Sequence, residues 1–154
     1  MSKFNFPFIS ETKELSNLRK EVRKFISEAL INNEFEPAAD GWVFSANPNF
    51  SKKLGSKGWL GMSFPKKYGG NEKTALERYI VTEELWASGA PVAAHWSADR
   101  QSGSQILRYG TEEQKQSIIP KITLGECFFA IGMSEPDSGS DLASVKTKAT
   151  RTND

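Results

Sequence analysis

A change of period at Gly125 constrains this chain more than any other feature. Upstream of it, apolar residues recur every three or four positions between capping residues, the pattern of helices that each bury one face. Downstream, Cys127 to Ser134 is an apolar run, and Val145, Thr147 and Ala149 alternate with Lys146 and Lys148. Those segments read as strands. The chain of 154 residues is one ordinary domain by length. The switch predicts a mainly α fold, with an all-helical domain over residues 1–125 and the beginning of a β domain over residues 126–154. Two strands do not make a stable sheet alone, since roughly three or more are needed. The second domain is therefore read as incomplete.

The helical part divides at its caps and glycines. Residues 1–9 carry three aromatic side chains, Phe4, Phe6 and Phe8, and read as an extended, docking lead-in. Ser10 is the expected N-cap of the first helix, with Glu11 in its first turn. Leu15, Leu18, Val22, Phe25, Ile26, Ala29 and Leu30 form its stripe, and Asn32-Asn33 closes it. Residues 34–46 read as a loop, and Asn47-Pro48 as N-cap and first residue of a short helix ended by Gly55 and Gly58. Trp59 to Gly70 reads as an ordered loop pinned to the core by large apolar residues.

Thr74 to Ser88 is expected as a helix buried through Leu76, Tyr79, Ile80, Leu85 and Trp86, with Glu83 and Glu84 on a solvated face. Adjacent carboxylates on a helix do not face each other and make a poor acid–base pair. Val92 to Tyr109 follows as a helix rich in small residues, among them Ala93, Ala94, Ser97 and Ser102. Such a helix either packs close to a neighbour or leaves room beside itself. Thr111 and Gln114 form a capping box for the last helix, in which Pro120 is expected to cause a kink or a break.

Composition excludes several functions. The net charge of +1, with basic residues scattered, gives no electrostatic case for nucleic acid or an anionic membrane. One cysteine, Cys127 in an apolar run, permits no disulfide framework and reads as buried and inert. No signal-peptide pattern or membrane-length apolar run is present, so a cytoplasmic setting is expected. His95 and Asp99 share a helix face at a spacing of four, but a metal site needs more ligands and His95 is the only histidine. His95 reads as a helix-surface or pocket-lining residue. No Walker loop, Rossmann fingerprint or nucleophile elbow occurs.

The segment Gly132-Met133-Ser134-Glu135-Pro136-Asp137-Ser138-Gly139-Ser140-Asp141-Leu142-Ala143-Ser144 carries the chemistry. It leaves an apolar run and turns through hydroxyls and a glycine. Gly139 admits a positive φ and the close approach of a ligand. Ser134, Ser138 and Ser140 can donate and accept hydrogen bonds, and successive backbone N–H groups can cradle an anion or a heterocycle edge. A polar hairpin loop is the alternative that these letters allow.

The same thirteen residues resemble the flavin-site signature of the acyl-CoA dehydrogenases at each of its fixed positions. Pro65 to Gly70, and Tyr109 to Lys115 with Ile118 to Lys121, resemble further segments of that family. The resemblance implies FAD as cofactor, with Ile131, Met133, Ser134, Gly139 and Ser140 as cofactor-binding residues and Ser140 also touching the substrate. It implies an acyl-CoA substrate, with α,β-dehydrogenation of the thioester and hydride transfer to flavin, within fatty acid metabolism. An electron-transfer flavoprotein is the implied acceptor, and a homo- or hetero-oligomer the implied assembly. A flavin monooxygenase or acyl-CoA oxidase using O₂ is a related alternative, and a non-catalytic subunit paired with a catalytic flavoprotein is another. Ile131 stands where the family often has an aromatic, and Asp137-Ser138 replaces the commoner Gly-Ala. The family's catalytic carboxylate and C-terminal bundle correspond to nothing up to Asp154, so no catalytic residue is assigned and the chain alone is expected to be inactive.

Overall fold

The computed structural model describes residues 10–152, so the lead-in over residues 1–9 lies outside the described residues. The element order is α1 (Lys13–Ile31), α2 (Gly41–Phe44), α3 (Pro48–Ser56), α4 (Ala75–Ala87), α5 (Ala93–Ser97), a π-helical segment (Ala98–Ser102), α6 (Gly103–Tyr109) and α7 (Glu112–Thr123). Short 3₁₀ turns stand at Lys66–Tyr68 and Leu142–Ser144.

Local chemistry accounts for most helix ends. Asn47 caps α3, its side chain accepting from the Asn49 and Phe50 N–H groups, with Pro48 at the first helical position. Thr74 and Thr111 head complete capping boxes with Glu77 and Gln114. Gly89 and Gly125 take φ of 65° and 70° just past α4 and α7, the left-handed backbone that ends a helix. Asn33 does the same after α1 at φ 53°. The cap of α1 is Thr12, not Ser10. Its hydroxyl accepts from the Leu15 N–H at 3.3 Å, while Glu11 pairs with Arg19 instead. Pro120 does not divide α7, which runs unbroken through Thr123. Ile119 and Ile122 are fully buried on either side of the proline and anchor the helix across it.

Two apolar clusters hold these helices. The first joins Val22 and Ile26 of α1, Phe50 and Leu54 of α3, and Val81 and Leu85 of α4 to Trp59, Leu60 and Met62 of the following loop. Phe25 meets Trp59 edge-on, ring centroids 5.1 Å apart at 89°. The second gathers Phe64, Tyr68, Ala98, Ile119 and Ile122, with Cys127 half-buried at its rim. The 59–70 loop thus contributes to both cores, as its large apolar residues suggest. Residues 41–44 form a short helix where a loop was expected.

The α4 stripe is narrower than its spacing implies. Ile80 and Leu85 are buried, but Leu76, Tyr79 and Trp86 are 43 %, 56 % and 38 % exposed. Glu84 is buried instead of solvated, because Arg19 and Arg23 of α1 bring two guanidiniums to its carboxylate. Arg23 first, and then Arg19, hold that carboxyl below the ordinary glutamate value, against the opposing effect of burial. His95 is also interior, 5 % exposed, sharing a 2.9 Å hydrogen bond with the buried Ser51 hydroxyl.

The expected strands do not form a ladder. Among the described residues the β contacts are two isolated bridges, Ala46 to Val92 and Glu135 to Ser138. Residues 127–134 and 145–150 run extended without pairing to each other. A strand is stable only beside strands that satisfy its N–H and C=O groups, and the helical layer offers no such edge. Among the described residues no helix is long and apolar enough to cross a membrane.

Candidate functional site

Backbone leaves α7 through Lys121, whose carbonyl accepts from the N–H of Glu126 at 2.8 Å and of Cys127 at 3.2 Å. Phe129 then packs against the second core, while Phe128, Ile131 and Met133 are exposed. The chain next closes a four-residue turn. Glu135 N–H donates to the Ser138 carbonyl at 2.8 Å, and Ser138 N–H donates back to the Glu135 carbonyl at 3.1 Å. Pro136 is at the second position of this turn, where its fixed φ is pre-set.

Two side chains lock the loop. Ser138 is buried, its hydroxyl donating to the Asp141 carbonyl at 2.7 Å. Ser144 donates to the same carbonyl at 2.9 Å and lies 3.1 Å from the Ser138 hydroxyl. The Glu135 carboxylate accepts from the Lys146 N–H at 2.9 Å and the Thr147 N–H at 2.7 Å, and also from the Thr147 hydroxyl. That hydroxyl first, then the two N–H groups, keep the Glu135 carboxyl below its ordinary value. Glu135 therefore clasps the outgoing segment onto the turn.

The residues singled out for cofactor contact all lie outside this locked interior. Ile131, Met133, Ser134, Gly139 and Ser140 are exposed. Ser138, the third candidate hydroxyl, is spent inside the loop. Gly139 is not among the glycines of positive φ, so left-handed backbone is not why a glycine stands there. A Cβ built on Gly139 or on Gly132 meets nothing within 4 Å, whereas one on Gly55, Gly70, Gly103 or Gly125 would lie under 3 Å from a neighbour. The latter glycines serve the chain's own packing. Gly132 and Gly139 leave an open, side-chain-free surface beside two exposed hydroxyls. Those groups suit a flat heterocycle edge that needs hydrogen-bond partners and close approach, so the donor set fits a flavin.

Sequence reasoning missed the roles of Glu135 and Ser138. Their partners lie as far as twelve residues on, and no short-range pattern encodes that return. Glu135 nonetheless sits at a fixed position of the signature, and its clasp is the reason for an acid there.

The chain is thus a capped helical domain followed by an exposed, hydroxyl-bearing loop. The model of the acyl-CoA dehydrogenase N-terminal domain matches residues 12–126, and this chain belongs to the acyl-CoA dehydrogenase family. It is 33 % identical over 150 residues to the acyl-CoA dehydrogenase FadE26 of Mycobacterium tuberculosis, covering 95 % of this chain and 37 % of that protein. Among solved structures, the Tcur3481-Tcur3483 steroid acyl-CoA dehydrogenase superposes with a TM-score of 0.81 at 35 % identity, covering 96 % of this chain and 38 % of that one. The ChsE4-ChsE5 complex from Mycobacterium tuberculosis does so with a TM-score of 0.77 at 34 % identity, covering 96 % and 37 %. The chain thus spans a little over a third of the length of these relatives.

Proposed function

We propose that this chain is the N-terminal portion of an FAD-dependent acyl-CoA dehydrogenase and supplies one wall of its flavin and thioester site. The observation that carries the reading is the open face of the 131–140 loop. Ser134, Gly139 and Ser140 are exposed there, on a turn that Glu135 and Ser138 hold rigid. Residues 126–154 belong, in this reading, to a following β domain whose other strands pair with 127–134 and 145–150. FAD, when bound, supplies the acceptor for the hydride that leaves the acyl β-carbon. Ser134 offers a hydroxyl to a ring edge and can tune the flavin through that bond. Gly139 lets the ring and the acyl thioester approach the backbone, and Ser140 offers a hydroxyl to both. Exposed Ile131 and Met133 provide apolar surface to the ring.

The family likeness supports an acyl-CoA substrate, and the paired names of the related structures support a homo- or hetero-oligomeric assembly with the rest of the enzyme. An electron-transfer flavoprotein is the acceptor this reading carries. Glu135 is spent on Lys146 and Thr147, and in this reading the base that removes the acyl α proton comes from the rest of the enzyme. Two experiments test this. The 154-residue chain, incubated with FAD, is expected to retain no stoichiometric flavin; tight flavin that an acyl-CoA bleaches overturns the dependence on other segments. In a polypeptide joining this chain to complete middle and C-terminal parts of an acyl-CoA dehydrogenase, Gly139→Val is expected to abolish flavin retention. Unchanged flavin content in that variant overturns the assignment of the loop.

A further inference from the structure

A second site lies away from the loop. Ser63, Ala75, Arg78, Tyr79, Thr82, Glu83, Trp86 and Arg100 line an open cavity of about 700 Å³ between α4 and the π-helical segment. That volume is in the range of small-molecule pockets, roughly 300–1,000 Å³. None of the small residues of the 92–109 stretch lines it.

We propose that this cavity binds a carboxylate carried on an apolar body, with Arg78 and Arg100 as its anion-binding groups. The charge balance is the first argument. Glu83 lines the cavity, but its two oxygens are taken by the Tyr79 hydroxyl at 2.7 Å and by Arg19. Asp99 is then the one acid left against Arg78 and Arg100, two cations to one anion. Asp99 is itself engaged, accepting from the Gly61 N–H at 2.9 Å and from Arg78 at 3.3 Å.

Unspent donors are the second argument. The Arg78 Nε–H is buried with no hydrogen-bond partner among the described residues. The Nε–H is closed off from the cavity, so what an anion there would answer is the Arg78 charge, which is costly to hold desolvated and short of partners. Arg100 lies over the Trp96 ring, 4.2 Å from its centroid, and donates to the Thr82 hydroxyl. Stacking fixes the guanidinium plane and leaves further N–H groups at its edge, the geometry that receives a carboxylate in two-point fashion. Burial, and then the Arg78 charge, push the Arg100 guanidinium below its ordinary value, as expected for a cation short of a counter-charge.

Backbone geometry is the third. Residues 98–102 are π-helical inside an otherwise α-helical stretch, and such bulges recur at functional sites. The bulge carries Asp99 and Arg100, one engaged with the Gly61 N–H and the other with Thr82 at the cavity. Ala75, Tyr79 and Trp86 furnish the apolar wall.

The proposal rests on α4 and the π segment and not on the flavin reading. Its test is titration of the flavin-free 154-residue chain with octanoate, followed by tryptophan emission, since Trp86 lines the cavity and Trp96 stacks on Arg100. Octan-1-ol and inorganic phosphate form separate arms. Saturable octanoate binding at least tenfold tighter than either is expected, and a loss of at least tenfold in Arg100→Gln at unchanged far-UV circular dichroism. Octanoate should also shield Arg100 of the unaltered chain from phenylglyoxal, a readout that holds if the variant does not fold. Equal binding of octan-1-ol, saturation by phosphate at the octanoate affinity, unchanged binding in Arg100→Gln, or an unshielded Arg100 each overturn it.

Discussion

At the scale of single residues, His95 ties stability to pH. Burial lowers its folded-state pKa from 6.5 to about 4. A group depressed in the folded state contributes stability that is present above its unfolded pKa and is lost as pH falls toward the folded one. The window for His95 is therefore pH 6.5 down to about 4. The full span amounts to about 3 kcal/mol, at roughly 1.4 kcal/mol per pKa unit. Urea midpoints measured at pH 7 and pH 5 should fall for the natural chain and change much less for His95→Gln; equal slopes refute the coupling. Glycines give a second contrast at this scale. Gly55→Ala would place a Cβ 2.5 Å from the Leu124 backbone and is expected to cost about 3 kcal/mol, the upper end of overpacking. Gly139→Ala meets open space and should stay within about 0.5 kcal/mol in chemical denaturation, as surface changes do. A large loss there would mean that the chain itself needs that glycine, and the loop would no longer single out an external ligand.

Elements are joined by polar contacts as well as by apolar faces. Arg19 and Arg23 of α1 meet Glu84 of α4, and Arg19 also reaches Glu11 and Glu83. The Glu84 side chain is 8 % exposed and Arg23 is 64 % exposed, so the cluster is half in water. Breaking a fully buried pair costs 3–5 kcal/mol, and exposed pairs contribute little. Glu84→Gln is expected to fall between, at about 2 kcal/mol, read as a lower thermal midpoint at neutral pH. Its depressed pKa makes the contribution present above the ordinary glutamate value and lost as pH falls below it, so natural chain and variant should converge in acid. A constant gap down to pH 3 refutes an ionic origin.

For the molecule as a whole, structure is unevenly distributed. Two cores hold residues from α1 to α7, while the segment after Cys127 is largely exposed and tied down by Glu135 and Ser138. Hydrogen exchange should show it. Amides of residues 128–134 are expected to exchange at the earliest times. Those of Glu135, Ser138, Lys146 and Thr147 should lag, and those around Val22, Leu54 and Ile119 should be slowest. Protection of 128–134 equal to that of α7 would show that they pair with a strand within this chain.

Most caps, the stripe of α1 and the helix ends at Gly89 and Gly125 were legible in the letters, because each rests on interactions within about four residues: a hydroxyl over a free N–H, a glycine beyond a helix end, a stripe at helical spacing. What the letters could not show came from contacts between distant segments. Glu84 reads as a solvated acid until α1 brings Arg19 and Arg23 across it, and His95 as a helix-surface or pocket-lining residue until Ser51 meets it in the core. Strand-like alternation after Gly125 specifies extended backbone but not a sheet, since pairing depends on which edges the rest of the fold presents. Tertiary structure alone decided that Ser138 is consumed inside the loop while Ser134 and Ser140 stay free, because a hydroxyl's availability depends on what folds back upon it.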